Sequence, residues 1–209
     1  GTDITFFNDS ICLYASNKPG GFGGYDLYVS FLNNGSWSQG TNLGPVINSF
    51  YDDRFPFLTR NGLTLFYSSN NLHSIGGFDV FKSSFDPTLF KWSVPENLGM
   101  PINSAGNDTY LIVAADGTNA YLTSDRKEGL GGEDIYRVFF KQPIMAHQSI
   151  SDVPTFQQLL QSQDTAATIG DAQEAPPIVK EYYVSHLFLE ENAEILSPQN
   201  VKKLDLLVN

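Results

Sequence analysis

A ten-residue loop occurs three times in this chain, and it constrains the fold more than any other feature. Each copy begins with Asn or Asp, ends in Gly-Gly-X-Asp and is followed by an apolar or aromatic run. The copies occupy residues 17–26, 70–79 and 125–134, and their final Asp residues are spaced by 53 and 55 residues. A nearly constant period of ~50 residues is typical of repeat arrays, in which each unit packs against its neighbours.

The units that contain these loops carry strand signals in the same order. In the second unit, Asn61-Gly62 is predicted to be a hairpin turn, because both residues tolerate positive φ. The flanking runs are rich in aromatic and β-branched residues, which favours strands. The four strands of this unit are predicted over residues 54–59, 63–69, 80–83 and 92–98, and residues 99–107 cross to the next unit.

The other two units align with the second one. Asp116-Gly117 and Asn8-Asp9 stand at the turn position, although the first unit lacks the glycine. Trp37 and Trp92 are 55 residues apart, and each opens a segment that ends in Asn-Leu-Gly. The alignment predicts two complete four-stranded units and a third one that stops after its third strand, near Phe140.

Four-stranded sheets repeated around an axis are the blades of a β-propeller. The predicted fold is therefore all-β, a partial β-propeller over residues 1–141, with units at about 1–50, 51–106 and 107–141. Closed propellers usually have ~4–8 blades, so three blades cannot complete a ring. We expect the chain to be part of a longer protein, or one partner of an assembly that completes the ring. The missing fourth strand of the third unit is typical of a closing blade.

The composition changes after the third unit. Residues 142–180 are rich in Ser, Gln, Asp, Ala and Pro, which is typical of a linker. A short helix is predicted within this linker over residues 153–160, with Pro154 in its first turn. Residues 181–209 differ again, because a strand is predicted from Tyr182 onward and a helix begins after Ser197-Pro198.

The bulk composition excludes some classes of partner. The chain has 209 residues, of which 23 are acidic and 12 basic, for a formal net charge of −11. Nucleic acids and anionic membrane surfaces both need a basic face, so we expect neither as a partner. No run approaches the ~18 apolar residues of a membrane-spanning helix, and no signal peptide or lipidated Cys is visible. If the parent protein is exported, we expect its leader upstream of Gly1.

Residue types that carry catalytic or metal-binding chemistry are scattered along the chain. His73, His147 and His186 form no metal-ligand or catalytic pattern, and serines without a positioned base are not nucleophiles. The single cysteine, Cys12, lies in an apolar run and is predicted to be a buried core residue. The glycine-rich run at residues 20–24 lacks the Lys-Ser/Thr ending of a phosphate-binding loop. We therefore predict no catalytic residue, no metal site and no cofactor.

The aspartates of the repeated loop allow two interpretations. Asp beside flexible Gly backbone suits Ca²⁺, but each loop supplies one carboxylate and the three loops lie in separate units. The sequence favours a structural role, in which each Asp accepts backbone N–H groups ahead of the third strand. We also expect Asp52-Asp53 to bond across to the neighbouring unit. The residues of the structural motif are Gly24, Asp26, Gly77, Asp79, Gly132 and Asp134.

Apolar side chains in the loops are the clearest candidates for a binding surface. Because the loops occupy equivalent positions in the three units, we expect these side chains to lie along one rim of the array. A few apolar residues among glycines suit protein recognition, and they could equally cover the neighbouring units. These rim residues are Phe22, Tyr25, Ile75, Phe78 and Leu130.

The repeats resemble the WD-like, TolB-type propeller repeat, in which a turn, an aromatic strand and a Gly-Gly-x-Asp loop follow one another. Residues 61–70 and 116–126 match the first part of that repeat, and the loops that end at Asp79 and Asp134 match the second part. The resemblance covers about residues 3–140 and recurs in register, which implies a β-propeller.

The C-terminal segment resembles the opening strand and helix of an OmpA-like peptidoglycan-binding domain. The matching residues are 187–196 and 204–208, although Leu189-Glu190 replaces the aromatic residue and Asp of many members. A propeller followed by such a domain is similar to the PorE-type lipoproteins of Gram-negative bacteria. These lipoproteins are periplasmic, associated with the outer membrane and linked to type IX secretion. The family's wall-binding Asp and Arg lie downstream of the first helix, so no residue of this chain is assigned to peptidoglycan.

These observations and resemblances lead to one functional expectation and two alternatives. We expect a non-enzymatic periplasmic scaffold, whose propeller binds envelope or outer-membrane proteins and whose OmpA-like domain binds peptidoglycan. The first alternative is an accessory propeller of an envelope hydrolase, with the catalytic domain outside these residues. The second is a carbohydrate-binding propeller that uses the aromatic residues of the rim.

Overall fold

The described part of the chain is all-β. The computed structural model describes residues 3–89 and 91–144, and it describes residues 182–186 as a backbone strand alone. These ranges contain strands and turns and no helix. The described residues therefore include no helix that is long and apolar enough to cross a membrane. In chain order the strands are β1 (Ile4–Asn8), β2 (Ile11–Ser16), β3 (Asp26–Asn33), β4 (Ser36–Trp37), β5 (Thr41–Asn42), β6 (Asp53–Leu58), β7 (Thr64–Ser69), β8 (Asp79–Asp86), β9 (Lys91–Trp92), β10 (Glu96–Asn97), β11 (Asp108–Val113), β12 (Asn119–Ser124), β13 (Asp134–Phe140) and β14 (Tyr182–His186).

The strands form three separate antiparallel sheets, one for each copy of the repeated loop. The first sheet has the order β1-β2-β3-β4, with β5 also paired to β3. The second sheet has the order β6-β7-β8-β10, with β9 also paired to β8, and the third has the order β11-β12-β13-β14. Within the described residues none of the sheets closes on itself. The predicted all-β class is therefore confirmed.

The hairpin turns are where the sequence predicts them. Gly62 and Gly117 both have positive φ, at 69° and 71°, which glycine adopts without steric cost. The Asn61 side chain accepts the Leu63 N–H at 3.1 Å and so closes the turn between β6 and β7. Strand β7 begins one residue later than predicted and β6 begins one residue earlier.

The fourth strand of the second unit is not continuous, contrary to the prediction over residues 92–98. Two short pieces, β9 and β10, pair with different parts of β8. Between them the Ser93 Oγ accepts the Ser84 N–H at 2.9 Å, and the Ser83 Oγ donates to the Ser93 carbonyl at 2.7 Å. Hydroxyl groups thus replace ladder bonds of the backbone. Ser38 and Ser30 make the equivalent bonds in the first sheet, where β4 and β5 are divided in the same way.

The third unit has a fourth strand, which corrects the prediction that it stops after the third. Strand β14 pairs antiparallel with β13, from Tyr136 opposite His186 to Phe140 opposite Tyr182. The sequence prediction placed this segment in the OmpA-like domain instead. An open edge on β13 would present a row of unpaired backbone groups, and a β-rich Tyr-Tyr-Val segment satisfies them. The helix predicted at residues 153–160 lies outside the described residues. The residues that resemble an OmpA-like domain, 187–196 and 204–208, also lie outside them.

Each sheet packs face to face against the next one. Because side chains alternate along a strand, β7 directs Leu65 and Tyr67 toward the first sheet and Phe66 toward the third. The core between the first and second sheets includes Leu13, Leu27, Val29, Leu43, Ile47, Leu58, Leu65, Tyr67, Phe81, Phe85 and Trp92. The core between the second and third sheets includes Phe66, Val80, Leu98, Ile102, Leu111, Ala120, Leu122, Tyr136 and Val138.

A bulge shifts the pairing of the first strand in every sheet. In the second and third sheets it falls between Arg54 and Phe57 and between Thr109 and Ile112. Phe55 and Tyr110 lie within these bulges and have positive φ, at 54° and 53°, which is unusual for bulky residues. Their rings contact each other with centroids 4.3 Å apart, and this contact between two sheets offsets part of the backbone cost.

Candidate binding site at the loop rim

Each repeated loop is held by the aspartate that ends it. The Asp26 carboxylate accepts the N–H groups of Phe22 and Gly23, at 2.6 and 3.2 Å. The other two loops have the same arrangement: Asp79 accepts from Ile75 and Gly76, and Asp134 accepts from Leu130 and Gly131. The structural role predicted for these three aspartates is therefore present in the structure. Among the described residues, no group of three His, Cys, Asp or Glu side chains is placed to hold a metal ion.

Two asparagines connect each of the first two loops to its own sheet, and the sequence analysis did not predict their role. Asn42 Nδ2 donates to Asp26 at 2.8 Å, and Asn42 Oδ1 accepts from Asn48 Nδ2 at 2.7 Å. Asn48 also binds both backbone groups of Leu27. Asn97 and Asn103 repeat these bonds in the second sheet. The available signal was the recurrence of Asn-Leu-Gly and Ile-Asn-Ser in register with the loops.

Each of the first two loops is also bonded to the segment that enters the next sheet. Asp52 Oδ1 accepts the Tyr25 N–H at 2.8 Å, and the Asp53 N–H donates to the Tyr25 carbonyl at 2.7 Å. The Gly24 N–H donates to the Tyr51 carbonyl at 3.1 Å. The predicted bond from Asp52-Asp53 to the neighbouring unit is thus confirmed. In the second loop, Phe78 and Gly77 make the same three bonds to residues 106–108.

The aspartate that ends this entering segment is buried in both copies, and in the second copy it also has a cationic partner. Asp53 is fully buried, and its Oδ2 accepts both the N–H and the Oγ–H of Ser49. Desolvation raises the pKa of Asp53 to about 6, although the bonds from serine oppose the shift. Asp108 is buried at the equivalent position and forms an ion pair with Arg126 at 2.7 Å.

The five predicted rim residues fall into two groups. Phe22, Ile75 and Leu130 are exposed, at 41%, 53% and 73%. Tyr25 and Phe78 are half-buried against the next sheet. The Arg54 guanidinium lies 4.7 Å from the centroid of the Tyr25 ring, and Phe78 meets Phe55 edge to face at 5.8 Å. The rim surface of the described residues therefore consists of the first group, and Tyr25 and Phe78 cover the neighbouring sheet.

An apolar groove opens at the rim between the first and second sheets. Its volume is about 380 Å³, and it passes from Phe22 across the segment before Asp52 to the loop after β7. Four lining residues that the sequence analysis did not select are strongly exposed: Val46 at 47%, Phe50 at 87%, Leu72 at 81% and Val94 at 78%. The polar residues Asn48, Asn71 and His73 also line the groove.

The corresponding place between the second and third sheets is occupied by an arginine. Arg126 follows Asn71 by 55 residues. Its guanidinium donates to the carbonyls of Pro101 and Ile102 at 3.0 and 2.6 Å, and it stacks over the Tyr136 ring at 4.5 Å. At the interface between the first and second sheets, the shorter Asn71 side chain reaches no such carbonyl among the described residues. The groove therefore remains open at this interface.

The Ser49 hydroxyl and the Cys12 thiol lie in positions that stabilise the fold. The Ser49 Oγ donates to Asp53 and accepts the Tyr51 N–H, which fixes the turn beside the groove. Cys12 is buried in the first sheet, and desolvation raises the pKa of its thiol. The geometry of the groove suits contact with apolar side chains, and the half-buried Asn71 places an amide group at its surface.

No family model and no curated protein matches this chain.

Proposed function

We propose that this chain belongs to a non-enzymatic scaffold protein of the bacterial periplasm. Its three repeat sheets are part of a β-propeller that binds an envelope or outer-membrane protein. The resemblance to PorE-type lipoproteins supports a location at the outer membrane and a link to type IX secretion. Because β14 belongs to the third sheet, the proposed start of the OmpA-like, peptidoglycan-binding domain is confined to residues 187–209 of this chain.

The observation that carries the proposal is the open groove between the first and second sheets. Phe22, Phe50, Leu72 and Val94 present apolar surface on loops, where solvent would otherwise favour polar side chains. Binding would bury these side chains and use the Asn71 amide for a bond to the partner's backbone. Such a site fits a short extended segment of a protein partner that carries two or three apolar side chains.

The rigidity of the loops supports the same conclusion. The Asp26 bonds and the bonds between Asp52 and Tyr25 fix the backbone on both sides of the groove. These loops therefore lose little conformational entropy when a partner binds. Loops that are fixed by internal hydrogen bonds and display apolar side chains are suited to specific recognition.

The proposal is tested by affinity purification from envelope extracts of the native cells. Wild-type protein is expected to recover outer-membrane proteins, and Phe22→Ser with Leu72→Ser is expected to recover at least tenfold less. Leu89→Ser is the matched control, because Leu89 is 65% exposed and does not line the groove. Recovery of nothing above background by the wild type would contradict protein binding by this module.

The two alternatives make different predictions in parallel assays. Hydrolysis of peptide or glycan substrates by this chain alone would overturn the non-enzymatic assignment. Carbohydrate binding is favoured by one observation, the presence of Phe22, Phe50 and Tyr51 in the groove. Glycan-array binding that is lost in Phe22→Ala would support the carbohydrate function in place of protein binding.

A further inference from the structure

The third copy of the loop has the glycines of the first two copies without the contacts that require them. A Cβ on Gly23 or Gly76 would lie 2.5 Å from a backbone carbonyl oxygen of the next sheet's entering segment, at Ser49 or Gly106. A Cβ on Gly131, the equivalent residue of the third loop, meets no atom within 4 Å. The same holds for Gly132. The third loop is therefore built for a close backbone contact that the described residues do not supply.

The hydrogen-bonding groups of the third loop repeat this pattern. In the first two loops the second glycine donates its N–H, and the X residue of Gly-Gly-X-Asp exchanges bonds through its N–H and carbonyl. In the third loop these groups belong to Gly132 and Glu133. Among residues 3–89 and 91–144 they have no partner.

The outer face of the third sheet shows the same difference in its apolar residues. Tyr121 follows Phe66 by 55 residues, and Ile135 follows Val80 by 55 residues. Phe66 and Val80 face the next sheet and are 1% and 0% exposed, whereas Tyr121 and Ile135 are 39% and 45% exposed. The surface formed by Tyr121, Leu130, Gly131, Gly132 and Ile135 is called the third-sheet outer face below.

We infer that the third-sheet outer face binds a further four-stranded repeat whose entering segment reads Ser-x-x-Asx-Asp. That segment occupies the first two interfaces, at residues 49–53 and 104–108. Its Asx side chain would accept the Glu133 N–H, the carbonyl before Asx would accept the Gly132 N–H, and the Asp N–H would donate to the Glu133 carbonyl. Apolar side chains of the same repeat would cover Tyr121 and Ile135.

The occupant is a repeat outside these 209 residues and not a second copy of this chain. The pattern Ser-x-x-Asx-Asp occurs only twice in the sequence, and both copies already bind the loops of their own molecule. A second copy would therefore have no free segment of this kind. The inference extends the proposed propeller, but it rests on the contacts between sheets and not on the groove.

Site-specific photo-crosslinking tests the inference in the protein as its native cells make it. Leu130→p-benzoylphenylalanine places the probe on the third loop, and Ile75→p-benzoylphenylalanine is the matched control on the second. The control must label residues 104–108, because the Gly76 contacts bring that segment to the loop. The probe at position 130 is expected to label an Asx-Asp segment of a repeat that is absent from this sequence. Labelling of residues in this sequence, or no labelling while the control succeeds, would overturn the inference.

A glycine substitution separates the proposed contact from a general defect. Gly131→Ala is expected to reduce the crosslink at position 130 at least tenfold and to leave the melting temperature of the isolated chain unchanged. An undiminished crosslink would also overturn the inference. If only the groove assignment is wrong, the envelope pull-down fails and the crosslink at position 130 still forms. The two experiments therefore test the two proposals separately.

Discussion

The Asn48 side chain exchanges two hydrogen bonds with the backbone of Leu27. Its Oδ1 accepts the Leu27 N–H at 2.8 Å, and its Nδ2 donates to the Leu27 carbonyl at 3.0 Å. Both residues are buried, at 3% and 0% exposure. Asn48 thus completes the pairing of β3 beside the loop, and Asn103 does the same for Val80 in the second sheet.

Asn48→Ala is expected to destabilise the protein by about 2–3 kcal/mol, because the buried Leu27 N–H loses its partner. The Leu27 carbonyl loses the bond from Asn48 but keeps the one from the Leu43 N–H. Asn71→Ala is the control, since its side chain accepts a single exposed bond from the His73 N–H. That control should cost less than about 1 kcal/mol. Urea denaturation measures both free energies of unfolding. Equal losses for the two variants would contradict the role assigned to Asn48.

Gly76→Ala and Gly131→Ala are expected to differ although they change equivalent residues. At Gly76 the added methyl group overlaps backbone atoms of residues 104–106, which should cost about 2–3 kcal/mol. At Gly131 the methyl group enters open space, so the free energy of unfolding should change by less than about 1 kcal/mol. Thermal melting of the two variants under identical conditions compares them directly. Similar melting temperatures would show that the second loop does not approach the third sheet as closely as described.

Arg126→Met is expected to destabilise the protein by about 3–5 kcal/mol, because the buried Asp108 carboxylate loses its cation. The pair of Arg54 and Asp3 provides the comparison, since Arg54 is more exposed, at 26% against 11% for Arg126. Arg54→Met should therefore cost about 1 kcal/mol. Chemical denaturation of both variants gives the two values. An Arg54→Met loss equal to that of Arg126→Met would contradict the distinction by burial.

Asp53 is expected to make the free energy of unfolding depend on pH. Burial raises the pKa of Asp53 to about 6 in the folded state, so the folded protein binds a proton more readily than the unfolded chain between about pH 4 and 6. The contribution of Asp53 to stability is therefore greatest at low pH and is lost as the pH rises through 6. Relative to Asp53→Asn, the wild type should lose up to about 3 kcal/mol between pH 4 and 7. A difference that is constant with pH would contradict the raised pKa.

Local signals in the sequence were sufficient for the strands and turns of the repeats. Asn61-Gly62 and the β-rich run after it identify β7, because turn chemistry and strand propensity are local properties. The position of β14 could not be predicted in this way. Its partner β13 precedes it by a long segment, and strand pairing over such a distance depends on which sheet edge is open.

The candidate site was only partly predictable because exposure depends on the neighbouring sheet. Tyr25 and Phe22 are close in the first loop, yet Tyr25 packs against Arg54 whereas Phe22 lines the groove. The groove also uses Phe50 and Leu72, whose counterparts in the next repeat are Ala105 and Lys127. A pattern that occurs in one unit alone is not detected by comparing repeats.

The most direct test of the proposed function is the affinity of the groove for its partner. An outer-membrane protein recovered by the wild type is purified, and its dissociation constant is measured by calorimetry with the wild type, Phe22→Ser with Leu72→Ser, and Leu89→Ser. The proposal predicts at least a tenfold weaker affinity for the groove variant and an unchanged affinity for Leu89→Ser. Equal affinities for all three proteins would show that the partner binds elsewhere and would contradict the assignment of the groove.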